Sequence, residues 1–250
     1  MRIVVFTGPT LGPSAAAAAL PDAEVLPPAA CGDVYRALAT RPDVIVIIDG
    51  VFDQRQSVWH KEILWALRNG TRVFGAASLG ALRAVELEPF GMVGVGRVFN
   101  WFKTGQIDRD DEVAVAHDTV ETGYRARSEA LVNVRVTLER AVRDRAISAA
   151  AADGMLLAGQ RLYYPDRSFE AIIEGSRQCG VPEADLQGLQ KFLNEGKRID
   201  QKRADALAAL ECVKLLRPDR PSASPRFQFQ YTEAWHEFRR RMGAQRPASS

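Results

Sequence analysis

Cysteine and histidine are both scarce in this 250-residue chain, three of each. Cys31, Cys179 and Cys212 are scattered, with no CxxC pair and no metal-like spacing against the histidines. Neither a disulfide framework nor a metal site is expected, and a reducing compartment suits the chain. Long apolar runs are also lacking. None reaches the roughly 18 residues a membrane span needs, and the first ends at Gly8-Pro9, too early for a signal-peptide core. The expectation is a soluble, cytoplasmic protein. An excess of charge of one sign is missing too. With 33 basic and 31 acidic residues the net charge is +2, so no global field directs the chain to nucleic acid. What is present is ordinary for a globular protein: 46% hydrophobic and 26% charged residues, in a chain long enough to bury a full core.

The first 120 residues alternate between strand and helix signals. RIVVF (2–6) is a short apolar run closed by glycine and proline, as a buried parallel strand would be. AEVLPP (23–28) suggests a second strand, and 32–41 a helix. DVIVIIDG (43–50) is the clearest strand, with five consecutive apolar residues, all β-branched, stopped by Asp49-Gly50. A helix over 57–70, capped by Ser57, precedes a strand at 71–76 and a helix at 79–87. This pattern predicts an α/β fold, a mainly parallel Rossmann-like sheet with ligand sites at the strands' carboxyl ends. Beyond residue 120 strand signals cease. Helices are expected over 120–147, 150–162, 166–178, 183–194 and 199–215. The chain therefore divides into a core at 1–120, an all-helical lobe at 121–215, and a tail at 216–250. That tail combines a Pro/Ser-rich linker, a basic helix over 229–242 and a flexible end.

The chemistry concentrates in GAASLGALRAVEL (75–87). A nucleophile on a strand-to-helix bend needs tiny neighbours two residues to either side, as in G-x-S-x-G. Here the run is Ala76-Ala77-Ser78-Leu79-Gly80, with alanine in place of the first glycine. The N–H groups of Leu79 and Gly80 at the helix start would face an oxyanion formed at Ser78. Ser78 acting only as a helix cap is the plainer alternative. A serine nucleophile also needs a base. His117 and His236 are remote in sequence, whereas His60 and Lys61 share the helix before this strand. These two lie about 100° apart on it, so one at most faces Ser78. Lys61 as base would need its pKa lowered from about 10.4 to about 7–8, some 3–4 kcal/mol of differential interaction. FTGPTLGPS (6–14) is a glycine turn without P-loop spacing. Asp49 and Asp53 end a strand, where carboxylates either act or cap. Asp110, Asp111 and Glu112 read as a solvated charge run, with metal binding the alternative, and Arg83 either meets an anion or faces solvent.

Seven segments in order resemble the TfuA-like family: TGPTL (7–11), PPAACGD (27–33), IIDGVF (47–52), VWHKEI (58–63), GAASLGALRAVEL (75–87), FGMVGVG (90–96) and DDEVAVAH (110–117). The resemblance covers roughly residues 3–120. It implies a protein found beside YcaO enzymes in peptide thioamidation, hydrolysing the C-terminal thiocarboxylate of a small ThiS-like sulfur carrier to release sulfide for YcaO. It further implies a Ser-Lys pair, which lands on Ser78 and Lys61, with His60 the second choice as base. No cofactor or metal is implied. The carrier's Gly-Gly tail calls for a narrow groove, for which Gly8, Thr10, Asp49, Gly50, Gly75 and Arg83 are the candidate contacts. The alternative is a non-catalytic adaptor that brings carrier and peptide to YcaO, and a homodimer is left open.

Overall fold

The computed structural model describes residues 1–51, 55–216 and 227–244. Five strands form one all-parallel sheet in the order β2-β1-β3-β4-β5: β1 Ile3–Phe6, β2 Ala23–Leu26, β3 Val44–Ile47, β4 Arg72–Ala76 and β5 Val93–Val95. Every residue of β1 and β3 is buried, which is why both read as unbroken apolar runs rather than alternating ones.

Side chains alternate across the sheet. Val4, Phe6, Ile45, Ile47 and Val73 face three helices: α2 (Asp33–Ala37), α3 (His60–Arg68) and α4 (Leu79–Leu87). Ile3, Val5, Val44, Val46 and Phe74 face the other way, onto α1 (Pro13–Ala19) and one helix from far downstream. After α5 (Arg97–Thr104) come the lobe helices α6 (Leu131–Arg143), α7 (Ala149–Arg161), α8 (Phe169–Gln178) and α9 (Glu183–Asn194). Their own core is built from Leu131, Leu138, Met155, Ile172, Leu189 and Phe192. An α/β core with a helical lobe is thus the architecture.

Three elements differ from expectation. The helix expected over 120–147 begins only at Leu131; residues 113–130 form a loop across the carboxyl end of the sheet. α10 (Gln201–Lys214), expected to close the lobe, instead packs Ala206, Ala209, Leu210 and Val213 against Val5, Val46 and Phe74. That i, i+3, i+4, i+7 stripe is small enough to lie flat on a sheet. The last helix, α11 (Glu233–Ala244), is docked: Trp235, Phe238 and Phe229 pack on Tyr35, Trp59 and Trp65 of the α2–α3 surface. The expected linker falls largely outside the described residues. Among those described, no helix is long and apolar enough to cross a membrane.

Ser57 does not cap α3; its hydroxyl donates to the Val51 carbonyl at 2.8 Å. The start of α3 is held by Glu62, fully buried, which accepts N–H bonds from Gly32 (2.9 Å), Trp59 (3.1 Å) and Tyr35 (3.1 Å). Burial pushes its carboxyl above the ordinary range, and the three N–H groups offset part of that. The folded state therefore holds this proton more tightly than the unfolded chain does. The resulting stability is complete below the unfolded carboxylate range and is lost as pH rises through the folded value. Glu62→Gln offers one acceptor oxygen to three donors and sets an amide N–H against another N–H. It is expected to lower stability by about 1–3 kcal/mol. The deficit should be smaller at pH 8 than at pH 5, because only the wild type loses stability over that rise; denaturant midpoints at both values check it.

Candidate functional site

The strand order reverses between β1 and β3, which opens a crevice at their carboxyl ends. Three turns meet there. The first, after β1, is gathered onto Asp49, which is 1% exposed. Its carboxylate accepts from the N–H groups of Gly8 (2.8 Å) and Thr10 (3.0 Å) and from the hydroxyls of Thr10 (2.5 Å) and Thr7 (3.4 Å). Asp49 borders the crevice, but its oxygens and the Thr10 hydroxyl are already engaged with each other and with the turn. Gly8 is overlain: a Cβ there would lie 2.4 Å from Pro28 and 3.4 Å from the Tyr124 ring. Gly8, Thr10 and Asp49 thus shape the crevice, with their N–H, hydroxyl and carboxylate groups bonded within the turn.

The turn after β4 is an elbow. The N–H of Ser78 donates to the Ala76 carbonyl at 2.7 Å, closing a three-residue turn about Ala77, whose φ is +66°. Alanine in this region is strained, so the surrounding packing must impose it. Ser78 follows at the N-cap position of α4, only 3% exposed, yet its side chain makes no capping bond. No hydrogen-bond partner holds its hydroxyl among the described residues. Two glycines permit the elbow. A Cβ on Gly80 would lie 1.7 Å from the Ile47 carbonyl oxygen, and one on Gly75 2.0 Å from that of Gly80. Gly75 is therefore a packing glycine between β4 and α4 and no wall of a groove. The Gly80 N–H, expected to face an oxyanion, donates to the Ile48 carbonyl at 3.3 Å. The N–H of Leu79 is the donor left at the turn.

Ser78 opens into a cavity of about 500 Å³, lined also by Asp49, Gly50, Arg55, Val115, His117, Asp118, Tyr124 and, from the lobe, Tyr164 and Pro165. The loop at 113–130 roofs it, and the acidic run expected to be solvated fastens that roof. Glu112 is 2% exposed and takes two bonds from Arg135 (2.9 and 2.6 Å). Asp111 pairs with the fully buried Arg167 at 2.9 Å. The buried Lys202 of α10 donates to the Val113 carbonyl at 2.6 Å. Among the described residues, no three His, Cys, Asp or Glu side chains converge as metal ligands would.

The sequence model of the TfuA-like proteins matches residues 49–168, from Asp49 through Ser78 and the roof to the Arg167 anchor. Over this segment the chain belongs to the TfuA-like family. No curated protein matches the chain. The TfuA-like match leaves out TGPTL and PPAACGD, and it extends past residue 120 into the lobe. The turns after β3 and β4, the roof and the lobe as far as residue 168 thus fall in one family segment, whereas the turn after β1, which also borders the cavity through Pro9, lies outside it.

Other site residues expected of a TfuA-like chain lie elsewhere. Lys61 Nζ donates to the Gln230 carbonyl and the Thr232 hydroxyl, both at 2.7 Å, and sits 5.5 Å from the Phe229 ring centre. Burial lowers its pKa, but the lysine pins the C-terminal segment and does not line the Ser78 cavity. The reason is rotational: α3 starts at His60 rather than Ser57, and Lys61 falls on the face that α11 and its lead-in cover. His60 Nε2 lies 2.7 Å from Glu86, which also takes Arg83 Nη1 at 2.7 Å, while Arg83 Nε donates to the Val58 carbonyl. His60 and Arg83 thus form a cluster between α3 and α4, and neither borders the cavity. Gly50 does border it, with the Leu79 side chain packed where a Cβ would be. Asp53 lies outside the described residues. His117, remote from Ser78 in sequence, does line the cavity. Its only sequence signal is its place in DDEVAVAH, 39 positions after Ser78.

Proposed function

We propose that this TfuA-like protein hydrolyses the C-terminal thiocarboxylate of a ThiS-like sulfur carrier, supplying sulfide to a YcaO enzyme for backbone thioamidation. The observation that carries this reading is the Ser78 hydroxyl, uncapped and bonded by no described residue, on a strained elbow that opens into a roofed cavity. A serine serving as a helix cap would bond back to its helix. Such strain is maintained where it positions a reacting group.

Ser78 Oγ attacks the thiocarboxyl carbon and gives its proton to a base, and the Leu79 N–H holds the oxyanion. The carbon–sulfur bond then breaks and hydrosulfide leaves. Water attacks the resulting ester, freeing Ser78 and the carrier's carboxylate. In sum, one thiocarboxylate and one water give one carboxylate, one hydrosulfide and one proton. A cavity of about 500 Å³ admits a chain end of a few small residues, and a carrier tail of two glycines meets that limit.

An adaptor role is favoured by one feature. α11, with Arg239, Arg240 and Arg241, is fixed on the surface by its aromatic face, so it offers an ordered basic patch. The two readings part in one experiment: purified protein is mixed with thiocarboxylated carrier in the absence of YcaO. The hydrolase reading expects one sulfide per carboxylate formed. Intact complexes with no sulfide released would favour the adaptor.

A further inference from the structure

We infer that a groove beside the Ser78 cavity, walled by Arg36, Arg55 and Arg241, takes carboxylate side chains of the polypeptide whose end enters that cavity. This rests on the hydrolase reading above and adds a requirement on its substrate, acidic residues a short way upstream of the tail. The groove encloses about 470 Å³ and is lined also by Cys31, Phe238 and Met242. Among the described residues, three arginines line it and no carboxylate does. The two carboxylates nearest in the fold are already taken. Asp33 accepts from the Ala30 N–H at 2.7 Å and from Arg36 Nη2. Glu62 accepts its three N–H bonds from Gly32, Tyr35 and Trp59. Arg36 Nη1 has the Met242 sulfur at 3.3 Å. Arg55 and Arg241 are exposed, and no described residue forms a hydrogen bond or ion pair with either.

A guanidinium meets a carboxylate through two parallel N–H bonds, and Phe238 and Met242 give the methylenes of such side chains apolar surface. The docked α11 sets Arg241 in place. Its neighbour Arg239 is turned away, 5.3 Å from the Trp65 ring and 3.3 Å from the Tyr35 hydroxyl. The groove also adjoins the Ser78 cavity. Arg55 borders both, and the run at 27–31 passes along both, Pro27 and Pro28 in the cavity and Ala30 and Cys31 in the groove. That run is pinned. The Ala29 N–H donates to the Asp49 carbonyl at 3.0 Å, that of Cys31 to the Gln56 carbonyl at 2.8 Å, and residue 30 bridges residue 57. A chain leaving the cavity along it meets the arginines after about four residues, at roughly 3.3–3.6 Å each. A nucleic acid would need a basic track along its backbone. A chain of net charge +2 that gathers three arginines at one spot suits a compact acidic segment instead.

The test is fluorescence anisotropy with the full chain and labelled peptides that end in Gly-Gly with a free carboxylate. One peptide carries two glutamates about six residues before its end; a second has glutamines there and a third lysines. Wild type is expected to bind the glutamate peptide about tenfold more tightly than the glutamine peptide, and the gap should close in high salt. Arg55→Ala and Arg241→Ala should each cut that preference by about three- to tenfold. Arg241→Glu should shift it toward the lysine peptide, and Arg240→Ala, off the groove on the same helix, should match wild type. Ser78→Ala should bind as wild type does, which keeps docking apart from chemistry. Equal or unmeasurable affinity of wild type for the glutamate and glutamine peptides, or a preference untouched by both arginine variants, would overturn the groove and leave the hydrolase reading standing. A short single-stranded oligonucleotide bound through the same arginines more tightly than the glutamate peptide would overturn the carboxylate ligand. An arginine-dependent glutamate preference in a protein that releases no sulfide from thiocarboxylated carrier would overturn the hydrolase reading alone.

Discussion

Ser78→Ala is expected to reduce sulfide release from a protein thiocarboxylate by about 10⁴-fold or more, with no loss of stability. Removing the nucleophile of a serine hydrolase abolishes the covalent route and leaves only the residual effect of binding and the oxyanion donor. The structural cost should be small, because no described residue bonds the hydroxyl and Ser78 borders the cavity. Alanine gives up no bond to a described residue, and the midpoint of thermal unfolding should hold or rise, as at other sites where stability is traded for activity. Lys61→Ala in the same assay is expected to turn over within about twofold of wild type, since it touches Gln230 and Thr232 rather than the cavity. Its effect should be on the C-terminal segment, read as faster proteolysis near residue 230. A loss at Lys61 as deep as that at Ser78 would restore the Ser-Lys pair.

Gly80→Ala is expected to cost about 3 kcal/mol or more and to remove activity from whatever protein remains folded. A methyl group there would sit 1.7 Å from the Ile47 carbonyl oxygen and 2.6 Å from its carbon. Both are backbone atoms of a buried central strand, so no side chain can swing aside, and the start of α4 must lift from β3. Overpacking usually costs about 1–3 kcal/mol, with more where nothing yields. The same lift would carry Ser78 and the Leu79 N–H with it, and a displacement near 1 Å is enough to cost about 10²-fold in rate. Gly175→Ala is the control. Its Cβ would meet only the Ala158 methyl at 3.6 Å, within α8, so a gain of about 0.5–1 kcal/mol is expected from helix propensity. Denaturant melts of both variants, with turnover, give the comparison.

The parts of the fold legible in the sequence were those written locally. β1 and β3 are buried on both faces, so their apolar runs are continuous, and the elbow announces itself through small residues around Ser78. β5 left little trace, being three residues long and interrupted by Gly94. α1 is nearly all alanine, with no polar face to mark a period. Where α10 packs is a tertiary matter: its alanine stripe would suit a bundle as well as a sheet. The roof at 113–130 reads in part as helix, and what fastens its start at residues 111–113 is distant in sequence. Arg135, Arg167 and Lys202 hold it from α6, the α8 N-terminus and α10. The elbow that carries Ser78 was therefore readable, whereas the makeup of its cavity was not. Lys61 is close to Ser78 along the chain but faces α11, and His117 is far along the chain but shares the cavity.

The central claim, a covalent intermediate on Ser78, is tested most directly by acid-quenching the protein within milliseconds of mixing it with thiocarboxylated carrier and mapping adducts by mass spectrometry. The account predicts a transient ester joining the carrier's terminal carbonyl to the peptide that contains Ser78, formed as hydrosulfide appears and absent in Ser78→Ala. Sulfide release at full rate from Ser78→Ala, with no adduct on the wild-type Ser78 peptide at any quench time, would contradict it.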